Sequence, residues 1–316
     1  MNSMKKILAY GEILWDMLPD KTILGGAPFN FAYRICALGD NGLFASRIGR
    51  DELGSRALAQ AQKLGVNTSL LQYDDRHPTG TVDVSFHGHQ PDYVINPGTA
   101  YDYIEPTDAL IAAAETADCL YYGTLVQRSP QSRNTLYQLL EASPQSVKFL
   151  DINLRKKCYT PETVRRSLHS ANILKLNDDE VKLLSALMGV RHNRMVEFSE
   201  WVIDEFKLDV VLITLGEFGA YAAAAPGETV YVPGYQVDLA DSLGSGDAFS
   251  AAFVHAFLQG HALLSACELG NALGALVAAT HGATAELTTQ QINDLMNGSC
   301  ARRFYAEFSS CKKIEA

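Results

Sequence analysis

No two cysteines in this chain are spaced Cys-x-x-Cys. The six stand at 36, 119, 158, 267, 300 and 311, so neither a zinc site nor a redox motif is read from them. Several lie inside apolar runs, as reduced and buried thiols do. No Gly-Lys pair occurs, which excludes a Walker A loop, and no Gly-x-Gly-x-x-Gly follows the first apolar run, which leaves a dehydrogenase-type dinucleotide fold unsupported. Basic residues are scarce: 26 Lys and Arg against 36 Asp and Glu give a net charge of −10. That balance argues against nucleic acid or an anionic membrane as partner. Phosphate recognition survives it, because backbone amides act locally. Long uncharged runs are also missing. The run after Lys5-Lys6 stops at Gly11-Glu12, too short for a signal peptide, and Ala262–Thr280 is broken by Glu268 and Asn271. A cytoplasmic chain is the expectation. With 47% hydrophobic residues in 316, it can build one large α/β domain or two smaller ones.

Short apolar runs recur at Ile7–Tyr10, Cys119–Tyr122, Val147–Leu150, Ile173–Leu176 and Val210–Thr214. Helical spacing lies between them, as in Leu136-Leu139-Leu140 and Val202–Phe206. Such alternation predicts an α/β fold with a largely parallel sheet and helices on both faces. Ligands in such folds sit beyond the carboxyl ends of the strands, where Glu12, Asp16, Asp151, Asn177 and Gly216 fall. One region differs. Val82, Val84 and Phe86 alternate, Tyr93–Ile95 can return beside them, and with residues 13–24 they suggest a small antiparallel appendage. His87 and His89 would share one face of it, as a metal pair or as solvent-facing or dimer-contact histidines.

The stretch richest in chemistry is Asp241-Ser242-Leu243-Gly244-Ser245-Gly246-Asp247. Phe249, Ala252, Phe253, Ala256 and Phe257 follow at helical spacing, so a glycine turn feeds a buried helix. Free amides at a helix N-terminus form an anion site. Asp247 is then either an acidic residue at a helix start or a base that takes a proton from an attacking alcohol. Gly25-Gly26-Ala27-Pro28-Phe29-Asn30 is a second glycine loop entering a helix, with Pro28 in the first turn. Asp16 and Asn30 have the carboxylate and amide groups that a polyol needs. Asn177-Asp178-Asp179-Glu180 opens a helix after a strand, so Asn177 can be an N-cap with acids beside it.

The paired loops resemble the signatures of the ribokinase-like (PfkB) sugar kinase family, along nearly the whole chain and in the family's order. Leu38-Gly39 and Ile48-Gly49-Arg50-Asp51-Glu52-Leu53-Gly54 continue the first loop as that family does. Ser245 stands where the family most often has alanine, and Ser242-Leu243 where Thr-Thr or Thr-Val is common. Within the family, Gly25–Asn30, His77-Pro78-Thr79-Gly80-Thr81-Val82 and Ala100-Tyr101-Asp102-Tyr103-Ile104 look closest to fructokinase, although Phe29 and Phe31 replace smaller residues.

The resemblance implies one ribokinase-like kinase domain over 1–316, with lid segments about 13–24 and 81–95. It implies ATP, Mg2+ and a sugar as ligands, and leaves room for K+ and for a homodimer through the lid. Asp247 would be the base and the amides of Gly244, Ser245, Gly246 and Asp247 the anion hole. Asp16, Gly26, Asn30 and Arg155 would meet the sugar, although Arg155 is equally readable as a surface arginine in a salt bridge. Asn177, Lys175, Thr214, Gly216, Gly219 and Asn271 would meet the nucleotide, with Asn271 otherwise a polar residue on an exposed helix face. Glu180 would act on magnesium through water, and Asp241 with Thr280–Thr284 would form a monovalent-cation loop. Fructose is the expected acceptor; ribose, 2-keto-3-deoxygluconate and nucleosides are the alternatives. A non-catalytic sugar-binding regulator would be expected to lose the glycine turn or Asp247, and both are present.

Overall fold

The computed structural model describes residues 3–87, 90–192, 194–308 and 312–313. They form two compact units, Met4–Ser146 and the chain from Val147 onward.

The first unit opens with β1 (Lys6–Tyr10), followed by β2 (Leu14–Met17), β3 (Thr22–Gly25) and α1 (Ala27–Ala37). Then come β4 (Asn41–Gly49), α2 (Glu52–Lys63), β5 (Asn67–Asp74), β6 (Gly80–His87), β7 (Gln90–Ile95), α3 (Asp108–Glu115), β8 (Cys119–Tyr122) and α4 (Pro130–Ala142). Strands β8, β1, β4 and β5 lie side by side and parallel, with Leu8 level with both Leu43 and Leu120. Ile7, Leu8 and Tyr10 are fully buried, because a parallel strand covered on both faces needs apolar side chains on both.

The appendage is a separate four-stranded sheet in the order β3-β2-β6-β7. Its outer pairs are antiparallel, but β2 and β6 run parallel, Asp16 lying level with Val82. The expected antiparallel pairing holds for β2–β3 and β6–β7 and fails for β2–β6. β2 and β6 are far apart in sequence, so no hairpin sets their direction. His89 and the side chain of His87 lie outside the described residues.

Motifs that carried the family resemblance join up as scaffold. Asp51 caps α2 by accepting from the Gly54 amide (2.7 Å) and also takes the Thr79 amide (2.8 Å) and hydroxyl (2.7 Å). Burial pushes the Asp51 carboxyl up, but these hydrogen bonds outweigh it and hold the group below its usual range. Loss of such a cap costs about 1 kcal/mol. Asp102 accepts from the amides of Gly98 (2.9 Å) and Thr99 (3.2 Å) and pairs through both oxygens with Arg128 (2.8 Å each). Arg128 also donates to the Asn96 carbonyl at 2.7 Å, tying the end of β7 to the 98–102 turn. Phe29 and Phe31 are core residues: Phe29 meets Phe44 edge-on and Phe31 stacks on Tyr121 at 3.9 Å.

The second unit runs β9 (Val147–Asp151), α5 (Pro161–Ser170), β10 (Ile173–Asn177), α6 (Asp178–Met188), α7 (Met195–Phe206) and β11 (Val210–Thr214). It continues with β12 (Ala220–Ala224), β13 (Glu228–Val232), β14 (Gly234–Tyr235), α8 (Ser245–Leu258), α9 (Leu263–Ala278), α10 (Thr289–Asn297), β15 (Arg302–Arg303) and β16 (Lys312–Lys313). β9, β10 and β11 are parallel, and β12 and β13 add an antiparallel hairpin. Helices α8 and α9 pack closely because α9 places Gly270 and Gly274 against α8. A Cβ on Gly270 would stand 3.0 Å from the Phe249 carbonyl oxygen, and one on Gly274 3.1 Å from that of Ser245. Five cysteines, 36, 119, 158, 267 and 300, are free thiols, three of them buried. Among the described residues no helix is long and apolar enough to cross a membrane.

Candidate active site

The glycine turn folds as its residue types require. Gly244, at φ +77°, is the N-cap of α8, and the helix starts at Ser245. Asp247 lies in the first turn, 9% exposed, and no side chain caps the helix start. The Ser245 amide turns back to the Ser242 carbonyl at 3.3 Å, so it is a weaker anion donor than the sequence suggests. The two segments expected to form a cation loop do come together. Asp241 accepts from the amides of Leu243 (3.0 Å) and Gly282 (3.3 Å), while the Ala240 and Asp241 amides share the Ala278 carbonyl. Both Asp241 oxygens thus hold backbone, so loop carbonyls rather than this side chain are the groups suited to K+.

Beneath the turn lies a buried charge cluster. Lys175, in the middle of β10, points its ammonium at Asp151, at the end of β9 and level with it, 3.1 Å from each oxygen. Burial works against the Lys175 charge, but Asp151, Glu180 and Asp247 outweigh it and raise its pKa above the usual lysine value. Ser250 Oγ shares its proton between Asp151 (3.2 Å) and the Gly246 carbonyl (3.0 Å). Sequence reading missed the Asp151–Lys175 pair and Ser250, because residues so far apart in the chain share no local pattern.

Asn177 and Glu180 form a reciprocal capping box. Asn177 Oδ1 accepts from the Glu180 amide (2.8 Å) and Glu180 Oε2 from the Asn177 amide (2.9 Å). Glu180 Oε1 accepts from the Leu154 amide at 2.8 Å. Burial lifts the Glu180 carboxyl above its usual range despite Lys175 and these amides. Among the described residues no group of three or more His, Cys, Asp or Glu is placed to hold a metal. A carboxylate with one lone pair left on each oxygen fits magnesium through a water, as one or two protein groups suffice for that ion.

Thr214 ends β11, opposite Asn177 on β10. The following loop closes on itself, with the Leu215 amide donating to the Gly219 carbonyl at 2.8 Å. A Cβ on Gly219 would strike the Val232 carbonyl, whereas Gly216 has open space and needs glycine only for its φ of +57°. Asn271 is 8% exposed rather than on an open helix face. Its side-chain amide donates to the Pro233 carbonyl (2.8 Å), which Arg302 also reaches (3.1 Å). Arg302 pairs with buried Glu268 (2.5 Å) and lies 3.3 Å over the Tyr235 ring, and Tyr235 donates to Glu268. This clamp was not read from the sequence. Arg155 is exposed and has no ion pair among the described residues.

In the first unit, Asp16 sits on β2 and Asn30, 3% exposed, in the first turn of α1. Gly26, at φ +115°, passes so close to Glu12 that a Cβ would strike its carbonyl oxygen. Glu12 is buried and its Oε1 accepts from the Ala27 amide at 3.3 Å, which places a carboxylate at the N-terminus of α1.

Comparison with known proteins follows the same lines. The profile described as pfkB family carbohydrate kinase matches residues 17–290, across both units. The chain is 29% identical to a fructokinase of Klebsiella pneumoniae over 89% of its own length and 96% of that protein's. It is 26% identical to the aminoimidazole riboside kinase of Salmonella typhimurium over 94% and 97%. The fold superposes on a fructokinase with bound ATP from Xylella fastidiosa at a TM-score of 0.83, with 19% identity, 93% of this chain and 98% of that one covered. Fold class and family resemblance are thereby borne out: the architecture is ribokinase-like, with a mostly parallel sheet and helices on both sides.

Proposed function

Starting from a chain that belongs to the pfkB family of carbohydrate kinases, we propose that it transfers the γ-phosphate of ATP to a primary hydroxyl of a sugar, with fructose the favoured acceptor. One observation carries the reading. A left-handed glycine turn starts α8, sets the buried carboxylate of Asp247 in its first turn and lies over the ammonium of Lys175. Such a turn presents amides to an anion, and a carboxylate beside them serves an incoming alcohol.

In the proposed mechanism Asp247 accepts the hydroxyl proton as the sugar oxygen bonds to the γ-phosphorus. The bond from that phosphorus to the β,γ-bridging oxygen breaks in line, and ADP leaves with the electron pair. Amides of residues 244–247 hold the phosphoryl oxygens, and Lys175 adds a fixed positive charge. Asn177, Thr214, Gly216 and Gly219 line the nucleotide, Asn271 borders the adenine, and Arg155, exposed and unpaired among the described residues, reaches the sugar or the moving phosphate. Magnesium, held through water by Glu180, would neutralise phosphate charge. K+ would sit among the carbonyls of the loops that Asp241 ties together. Residues 1–316 act as one kinase domain in the cytoplasm. The edge strands of the appendage, β3 and β7, are the surface proposed for a homodimer.

Asp16 and Asn30 are assigned to sugar hydroxyls remote from the reacting one, with Gly26 letting the sugar approach the backbone. Asp16→Ala should raise the sugar KM about 10–100-fold, the scale of a lost hydrogen bond to a charged group. Affinity for ATP should move less than about 3-fold. If calorimetry finds ATP affinity falling while sugar affinity holds, Asp16 does not belong to the sugar site.

The acceptor is tested by coupled ADP detection over fructose, ribose, 2-keto-3-deoxygluconate and aminoimidazole riboside. Fructose should give the highest kcat/KM, and sugar-free ATP hydrolysis should be far slower. Aminoimidazole riboside is in the panel because a relative of similar identity bears that name. Its phosphorylation without that of fructose would keep the kinase and change the acceptor. Equal ATP hydrolysis with and without every sugar would remove the sugar-kinase reading.

A further inference from the structure

The buried pair under the glycine turn has more structure than a fold-stabilising ion pair needs. The Asp151 side chain is 1% exposed and that of Lys175 9%. A Cβ on Gly246 would stand 3.0 Å from Lys175 Nζ, so the ammonium lies close against the first turn of α8, in space that glycine leaves open. Asp151 also reaches α8 through Ser250, whose hydroxyl bridges Asp151 Oδ2 and the Gly246 carbonyl. One carboxylate therefore fixes both the ammonium and the first turn of the helix above it.

The lysine stem is flexible, and three carboxylates act on its charge, those of Asp151, Glu180 and Asp247. Without Asp151 the ammonium would be drawn to Glu180 or Asp247. A lysine clamped on Asp247 would tie up the lone pairs that a base needs. A charge already in place before reaction needs no rearrangement as phosphoryl charge shifts.

We propose that Asp151 is a positioning residue for phosphoryl transfer: it holds the Lys175 ammonium under Gly246, off Asp247 and available to the moving phosphoryl group. The proposal rests on the kinase reading above, but one arm of its test, the ADP–aluminium fluoride comparison, needs no sugar acceptor.

Three variants decide it: Asp151→Asn, Lys175→Met and the double variant. In Asp151→Asn, kcat should fall about 10²-fold while the KM values for ATP and sugar stay within about 3-fold. Affinity for ADP–aluminium fluoride, which mimics the transferring group, should fall at least ~10-fold in calorimetry, and affinity for ADP alone should hold. The single variants should lose melting temperature because each strands a buried charge, and the double variant should regain most of it. Turnover should stay low in the double variant. Recovery of turnover together with stability would reduce the pair to a structural one and overturn the proposal. So would wild-type ADP–aluminium fluoride affinity in Asp151→Asn. If Asp151→Asn does not fold, the double variant decides alone, since full turnover in it has the same meaning. A wild-type chain that phosphorylates no sugar would sink the sugar-kinase reading, and the fluoride comparison would still judge Asp151.

Discussion

Asp247→Asn is expected to lower turnover at least ~10²-fold with the fold and ATP affinity intact. The substitution keeps the shape of the side chain and removes its ability to accept the hydroxyl proton. The helix start does not depend on it, since Gly244 is the N-cap and no side chain caps α8. Lys175 keeps Asp151 at 3.1 Å, so its ammonium stays partnered. A melting temperature near wild type, an unchanged ATP binding isotherm and a collapsed kcat are the three results together. Near-normal turnover in the folded variant would exclude Asp247 as the base. Absence of activity in wild type and variant alike, with sugar still bound, would favour a sugar-binding regulator on this fold.

Legibility in the sequence followed local pattern. β1, β8 and β11 carry unbroken apolar runs, β9 and β10 short runs with a single lysine (Lys148 and Lys175), and all five are strands. β4 was not read, although Phe44, Ala45 and Ile48 are fully buried in it, because Gly42, Ser46 and Arg47 interrupt the run. Ser46 is itself fully buried, and Arg47 reaches Asp74 at 2.8 Å, so the polar letters that hid the strand are absorbed by packing and an ion pair. β12 was hidden by its alanines, which carry no strand preference.

The candidate site divides in the same way. Gly244 and Asp247 announce themselves because a turn needing positive φ must spell glycine next to the helix it opens. The Asp151–Lys175–Ser250 contacts and the Asn271–Arg302–Glu268 clamp are visible only once distant elements meet. Asp51, Thr79 and Asp102, from motifs that signalled the family, act in the fold through caps and hydrogen bonds. They therefore report ancestry, and the acceptor sugar has to be read by experiment.

Gly244→Ala should be the most damaging change of a single methyl group in the turn, lowering kcat/KM about 10²-fold. Two effects add. At φ +77° an L-residue costs roughly 1–2 kcal/mol in the left-handed region. The new Cβ would also strike the Ala283 Cβ and lie 2.8 Å from its Cα. Backbone and a methyl on its backbone cannot swing aside, so the 280–284 loop must back away from the turn. That movement would pull on the Gly282 amide bonded to Asp241 and tilt the first turn of α8 with its amides. Loss of one oriented donor typically costs about 10²–10³ in rate, which sets the expected scale. Gly216→Ala is the matched comparison: it sits at φ +57° with nothing within 4 Å of the added Cβ. Strain alone acts there, and its loss should stay under about 10-fold. Adding Ala283→Gly to Gly244→Ala removes the collision but not the strain, so part of the activity should return. Equal losses in Gly244→Ala and Gly216→Ala, with no recovery from Ala283→Gly, would mean that the two loops move apart freely and that their contact does not set the turn.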